Sequence, residues 1–199
     1  KNQDLMKKMQ PEIVAESIFR QTSDTQTPQG ILAVVRQQKY TLDDLCREGK
    51  TLLILESIQD PGNLGTMLRT GEGAGIGGII MNRQTVDIYN PKTVRSTMGS
   101  MYRVPFLITE DLASTIAELK QREYRLYAAH LRGEGSYTAQ DYRKASAFLI
   151  GNEGNGLSDE IADLADCYIR IPMEGHVESL NAAIAAALLM YEARRQKND

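Results

Sequence analysis

The sequence predicts an α/β protein: a parallel sheet with helices on both of its faces. Six short apolar runs recur along the chain, at Leu52–Leu55, Gly78–Met81, Val104–Ile108, Arg125–Ala129, Ala147–Ile150 and Cys167–Ile171. Each is too short for a typical helix, and several are almost continuously apolar, as strands covered on both faces must be. Between them lie stretches of helical periodicity. Strands alternating with helices imply a parallel sheet.

Taken in order, the first 47 residues differ from the rest. Ile13, Val14, Ile18 and Phe19 fit a short helix, and Gln21–Gln29 is polar. Pro28 and Gly30 punctuate the chain before a strand-like Ile31–Val35. The main domain is therefore expected over residues 48–199, with residues 1–47 as an appendage. After the first strand, Asn63 to Ala74 sets Leu64, Met67, Leu68 and Gly71 on one helical face. Asp111 opens a helix to Gln121 that carries Leu112, Ile116 and Leu119. The last helix, from about Glu178 to Gln196, is almost solid Ala and Leu and ends in Arg194, Arg195 and Lys197.

The composition, 42% hydrophobic and 25% charged, is that of a globular domain. No apolar run approaches the roughly 18 residues of a membrane span. The polar start, Lys1 to Gln10, is not that of a secretory signal, so a cytoplasmic location is expected. Cys46 and Cys167 lie far apart and form no spaced motif, which suits reduced thiols. His130 and His176 have no partner at metal-ligand spacing, so no metal is expected. A net charge of −3 does not favour nucleic acid. Any such contact must be local or come from elsewhere in a longer protein, and the chain opens on Lys1 rather than methionine. Arg83, Lys92, Arg95 and Arg103 are a candidate patch, or simply solvated surface. The G-x-G-x-x-G string at Gly73–Gly78 follows a helix and leads into a strand, the reverse of a dinucleotide-binding turn.

Three motifs carry chemistry. Asp60-Pro61-Gly62-Asn63-Leu64-Gly65-Thr66-Met67-Leu68-Arg69-Thr70 follows the first strand. Its Pro-Gly turn delivers Asn63 to a helix start as a cap, and Asn63, Thr66 and Arg69 form a polar stripe. That arginine faces the end of the sheet where ligands bind in such folds, unless the helix is simply a capped surface helix. Phe148-Leu149-Ile150-Gly151-Asn152-Glu153-Gly154-Asn155-Gly156-Leu157 runs from a buried strand into three glycines around a carboxylate. Glycine allows a ligand close to the backbone. Ile169-Arg170-Ile171-Pro172-Met173-Glu174-Gly175-His176-Val177-Glu178-Ser179-Leu180-Asn181 ends a strand and enters the Ala-rich helix. Ser179 and Asn181 either cap that helix or line a pocket beside the glycine loop.

In this order and spacing the three motifs resemble the SpoU (TrmH-like) family of the SPOUT methyltransferases. The resemblance covers about residues 50–195, and Thr27-Pro28-Gln29-Gly30-Ile31-Leu32-Ala33 looks like the family linker to an N-terminal RNA-binding domain. It implies a six-stranded parallel sheet flanked by helices, with a C-terminal trefoil knot, and a homodimer contacting through the last helix. It implies S-adenosyl-L-methionine as cofactor, held at Leu131, Gly151, Ile171 and Leu180.

The implied activity is methyl transfer to a ribose 2′-hydroxyl of RNA, with ribosomal RNA, 23S in particular, favoured over tRNA. Arg69 is the central catalytic residue in that pattern, with Asn63, Glu153, Ser179 and Asn181. A guanidinium does not readily lose its proton, so Arg69 suits phosphate and alkoxide stabilisation better than the work of a base. Glu153 would fix Arg69 or take part in proton removal. A tRNA 2′-O-methyltransferase, a base methyltransferase, or a non-catalytic RNA-binding protein of the same fold are the alternatives.

Overall fold

The computed structural model describes residues 8–23, 25–133, 135–177 and 179–198. Internal contacts divide the chain into two units, residues 1–37 and 38–199. In the first unit, α1 (Glu16–Thr22) buries none of its side chains and is braced on its surface by an Arg20–Glu16 ion pair at 2.6 Å. Ile18 and Phe19 lie in this helix, whereas Ile13 and Val14 precede it. The strand expected at Ile31–Val35 does not form. A strand needs a neighbour for its backbone groups, and Ile31, Leu32, Val34 and Val35 are all exposed.

The second unit starts ahead of the boundary expected between residues 47 and 48. Thr41 caps α2 (Leu42–Leu45) in a reciprocal box with Asp44, and Leu42 and Leu45 turn into the core. The sheet comprises β1 (Leu52–Leu55), β2 (Gly78–Asn82), β3 (Phe106–Thr109), β4 (Arg125–Ala129), β5 (Gly135–Ser136), β6 (Ser146–Ile150) and β7 (Cys167–Arg170). Its spatial order is β3-β2-β1-β6-β4-β7-β5, with every pairing parallel. Six strands coincide with the six apolar runs. The expected six-stranded sheet is corrected to seven by β5, a Gly-Ser pair without apolar pattern that registers against Ile169 and Arg170.

Alternation along each strand divides the core into two layers. Leu53, Leu55, Ile79, Met81, Phe148 and Ile150 meet Leu64, Met67 and Leu68 of α3 (Pro61–Ala74). The same layer takes in Ala183, Ala186, Leu189 and Met190 of α7 (Ala182–Asn198). On the opposite face, Leu52, Ile54, Ile80, Leu126 and Leu149 meet Ile116 and Leu119 of α5 (Leu112–Gln121) and Ile161 of α6 (Asp159–Ala162). Asp111 caps α5 through the Ser114 amide at 2.8 Å, as expected. α4 (Pro91–Ser96) packs on the first turns of α3, where Ser96 Oγ donates to the Pro61 carbonyl at 3.2 Å.

The string at Gly73–Gly78 is a helix end. Gly75 takes φ 73° and ψ 33°, and the Ile76 amide closes the turn onto the Gly71 carbonyl at 3.1 Å. The path of the chain fixes where the loops converge. From β1 it builds outward through β2 to β3, then crosses to β4, and β6 returns to lie against β1. The order reverses between β1 and β6, and the carboxyl ends at such a switch point form the crevice where open α/β sheets take ligands.

Candidate active site

The loop leaving β1 is set by Asp60, not by Asn63. Asp60 Oδ1 accepts the Asn63 amide at 2.8 Å and caps α3, with Pro61 in the first helical position. This corrects the expected cap: proline occupies the turn ahead of Asn63, so the residue before the proline takes the cap and the Asn63 side chain is released for other work.

The loop leaving β6 is folded on itself. Asn152 Oδ1 accepts the amides of Gly154 at 2.8 Å and Asn155 at 3.2 Å, and the Gly156 amide returns to the Asn152 carbonyl at 2.9 Å. Gly151 has no room for a side chain. A Cβ there would lie 2.0 Å from the Gly156 carbonyl carbon and 2.1 Å from the Leu157 nitrogen. The helix that follows, α6, has only four residues and is capped by Ser158, whose hydroxyl also bonds Glu56 at 2.7 Å.

This loop carries Glu153 across to the β1 loop. Its carboxylate accepts the Gln59 amide at 3.0 Å, the Asp60 amide at 3.1 Å and Asn63 Nδ2 at 2.8 Å. Burial raises the pKa of this carboxyl, but the three donors outweigh it and hold it below the usual glutamate value. Asn63 Oδ1 in turn accepts Asn181 Nδ2 at 2.9 Å. Asn181 Oδ1 caps α7 through the amides of Ala183 at 2.9 Å and Ile184 at 3.3 Å. The last helix thus starts at Ala182 rather than near Glu178, which itself lies outside the described residues. Glu153, Asn63 and Asn181, one from each sequence motif, form one hydrogen-bonded chain.

Beside this chain lies a pocket of about 300 Å³ between the loops that leave β4, β6 and β7. Leu131, Gly151, Ile171 and Leu180, the four expected cofactor positions, all line it, and so do Glu153 and Ser179. His130 and Arg170 add polar groups to the wall, while Leu157 and Met173 add apolar ones. His130 Nδ1 accepts the Arg132 amide at 3.1 Å, and its ring meets Tyr168 edge-on at 5.3 Å. Burial, and then the charge of Arg132, hold its pKa below the usual histidine value. Walls of glycine and apolar residues with a few polar groups suit a small, partly apolar ligand.

Two placements differ from expectation. Arg69 does not line the pocket: it is exposed on α3, without a hydrogen bond or ion pair among the described residues. Glu153 binds Asn63 and two amides instead of Arg69. Of the basic cluster, Arg83 pairs with Glu110, Lys92 with Asp60 at 3.6 Å, and Arg103 with Glu72; Arg95 has no such partner among the described residues. Sequence reasoning passed over Asp60, Gln59 and Arg170. Only Asp60 carried a signal, an acidic residue directly before a helix-starting proline. No group of three or more His, Cys, Asp or Glu able to hold a metal occurs among the described residues, and no helix there is long and apolar enough to cross a membrane.

Fold and pocket define a class first: an α/β protein with a pocket for a small ligand among loops at the carboxyl ends of parallel strands. The SpoU rRNA Methylase family model matches residues 50–191, and the chain belongs to that family. It is 34% identical over 191 residues to the Bacillus subtilis (strain 168) 23S rRNA (guanosine(2553)-2′-O)-methyltransferase RlmP, covering 96% of this chain and 75% of that protein. Among solved structures it resembles the SpoU methyltransferase AviRb from Streptomyces viridochromogenes in complex with AdoMet, with a TM-score of 0.75 and 32% identity. It also resembles the AdoMet-bound rRNA methyltransferase from Sinorhizobium meliloti, with a TM-score of 0.72 and 38% identity. Those two matches cover 79% and 80% of this chain, and 65% and 62% of the solved chains. The chain therefore spans just under two thirds of either structure.

Proposed function

We propose that this chain is an S-adenosyl-L-methionine-dependent methyltransferase that modifies a ribose 2′-hydroxyl of RNA, with 23S ribosomal RNA as the substrate. The observation that carries this reading is the pocket whose wall contains Leu131, Gly151, Ile171 and Leu180 and whose rim is Glu153, tied to Asn63 and Asn181. The family match, the named activity of the Bacillus relative and the AdoMet complexes of the solved relatives support it.

A pocket of about 300 Å³ lined by apolar residues and glycines fits a nucleoside-sized cofactor. Bound there, the cofactor supplies a methyl group already activated as a sulfonium. The protein's part is then to place the hydroxyl, accept its charge and exclude water. Glu153 is a weak base, because its donors favour the ionised form. Its role is to hold Asn63, which orients the ribose, and Ser179 completes the rim. Arg69, free on α3, binds a phosphate of the substrate and stabilises the alkoxide that develops as the hydroxyl proton leaves to solvent water.

The family's C-terminal trefoil knot is proposed on the same resemblance. The homodimer is proposed through α7, whose outer face presents Ile184 and Tyr191 to solvent. Residues 1–37, rather than 1–47, are proposed as the linker and remnant of an RNA-binding domain, since Leu42 and Leu45 belong to the core. A cytoplasmic location is proposed on the same reading.

The test is methyl transfer from radiolabelled S-adenosyl-L-methionine to 23S ribosomal RNA and to tRNA, with the product nucleoside identified by mass spectrometry. A 2′-O-methylnucleoside from 23S RNA is the expected result. Label in tRNA or on a base redirects the assignment, and failure to bind the cofactor by calorimetry defeats it.

A further inference from the structure

Ser57, between β1 and α3, has a φ of 57°. A serine in this left-handed region is strained and persists only where its surroundings over-determine it. Four hydrogen bonds do so. The Ser57 amide donates to Asn82 Oδ1 at 2.8 Å, and Asn82 Nδ2 donates to Ser57 Oγ at 3.0 Å. The Ser57 carbonyl accepts Gln59 Nε2 and Asn152 Nδ2, each at 2.9 Å. Thr85 Oγ1 also donates to Asn82 Oδ1 at 3.0 Å, so two donors converge on one atom and fix which end of the amide is oxygen.

Gln59 and Asp60, whose amides grip Glu153, follow directly along the chain. The left-handed turn at Ser57 decides where those two N–H groups point, because an extended residue there would redirect the backbone after it. Asn82 is not part of the pocket wall. Its side chain meets the β1 loop directly at Ser57. The turn it shares with Thr85 also bonds that loop: the Gln84 carbonyl accepts Gln59 Nε2 at 3.0 Å, and the Val86 amide donates to the Ile58 carbonyl at 2.8 Å.

We propose that Asn82 is a positioning residue for the Glu153 carboxylate, acting by holding Ser57 in its left-handed conformation. The consequence for turnover rests on the methyltransferase reading above; the geometric claim does not. Asn82→Leu releases Ser57, misaims the Gln59 and Asp60 amides and leaves Glu153 with fewer donors. Asp60, the neighbouring charge, accepts the Asn63 amide and pairs with Lys92.

Two measurements on the whole chain test this: a carbon-13 NMR titration of the Glu153 carboxyl, and kcat with cofactor affinity. Asn82→Leu is expected to raise the Glu153 midpoint and to lower kcat about 10- to 100-fold, with S-adenosyl-L-methionine affinity unchanged. Asn82→Asp keeps the oxygen acceptor and should recover most of both. Ser57→Gly is the decisive partner, because glycine takes this φ without a holder. Added to Ser57→Gly, Asn82→Leu should leave the Glu153 midpoint where Ser57→Gly alone puts it. An unmoved midpoint in Asn82→Leu, or an equal shift with and without Ser57→Gly, overturns the proposal. If Asn82→Leu alone fails to fold, the comparison within Ser57→Gly still decides: a moved midpoint there overturns it. Absence of methyl transfer by the unmodified chain defeats the functional reading alone, since the titration does not depend on turnover.

Discussion

Asn181 and Asn63 meet side chain to side chain at 2.9 Å, which ties the start of the last helix to the first turns of α3. Each amide is used at both ends. Asn181 gives its oxygen to the amides of Ala183 and Ile184 and its nitrogen to Asn63, while Asn63 gives its own nitrogen to Glu153. A single substitution can therefore separate capping from site assembly. Asn181→Asp keeps an oxygen for the cap but sets oxygen against oxygen at Asn63. Thermal unfolding should stay close to that of the unmodified protein while methyl transfer falls at least about tenfold. Asn181→Ala should lose both, with about 1 kcal/mol of stability gone with the cap. Undiminished methyl transfer in Asn181→Asp would leave the Asn63 contact without a role.

Arg69 is exposed, and no hydrogen bond or ion pair among the described residues depends on it. Arg69→Ala should unfold within about 0.5 kcal/mol of the unmodified protein, as surface changes do. It should bind S-adenosyl-L-methionine normally and transfer no measurable methyl group. Calorimetry and single-turnover assays check this together, and near-normal turnover would remove Arg69 from the mechanism.

Much of the fold was legible because period and burial coincide. Leu52–Leu55 is buried at every position, and the Leu64, Met67, Leu68 and Gly71 stripe of α3 faces inward as its spacing requires. What escaped has a physical cause in each case. Ile31–Val35 has the composition of a strand but no neighbouring strand. Asn63 looked like a cap because asparagine often is one, yet a proline two residues earlier moved that duty to Asp60. The three motifs did announce a site, but not its wiring. That Glu153 would choose Asn63 over Arg69 depends on where the β6 loop crosses the β1 loop, a relationship between residues 90 positions apart.

The ionisation of Glu153 has a definite sign. Its folded-state pKa lies below the ordinary value of 4.5, so the folded protein binds this proton less readily than the unfolded chain. The resulting stabilisation is present above the unfolded value and is lost as pH falls through the folded one. Glu153→Gln removes that contribution, so melting temperature should depend less steeply on pH below about 4.5. Scanning calorimetry from pH 3 to 7 reads this out, and an unchanged slope would mean that the three donors do not favour the carboxylate.

Gly151→Ala tests the pocket floor directly. The added methyl would meet backbone atoms of Gly156 and Leu157, which cannot rotate aside. The β6 loop must shift as a whole, at a cost of about 1–3 kcal/mol. Cofactor affinity should fall by more than about tenfold, measured by calorimetry on protein shown to be folded by circular dichroism. Affinity within twofold of the unmodified chain would show that the loop tolerates displacement.

The two-residue strand β5 has a consequence for how the molecule keeps to itself in a crowded solution. Without Gly135 and Ser136, the outer rim of β7 would end the sheet with its backbone donors and acceptors open to any extended chain. A partner of only two residues covers part of that rim and is itself too short to template another strand. The opposite margin, β3, is limited to Phe106–Thr109. Both edges of the sheet are thus short, and the molecule presents little on which a second sheet could grow.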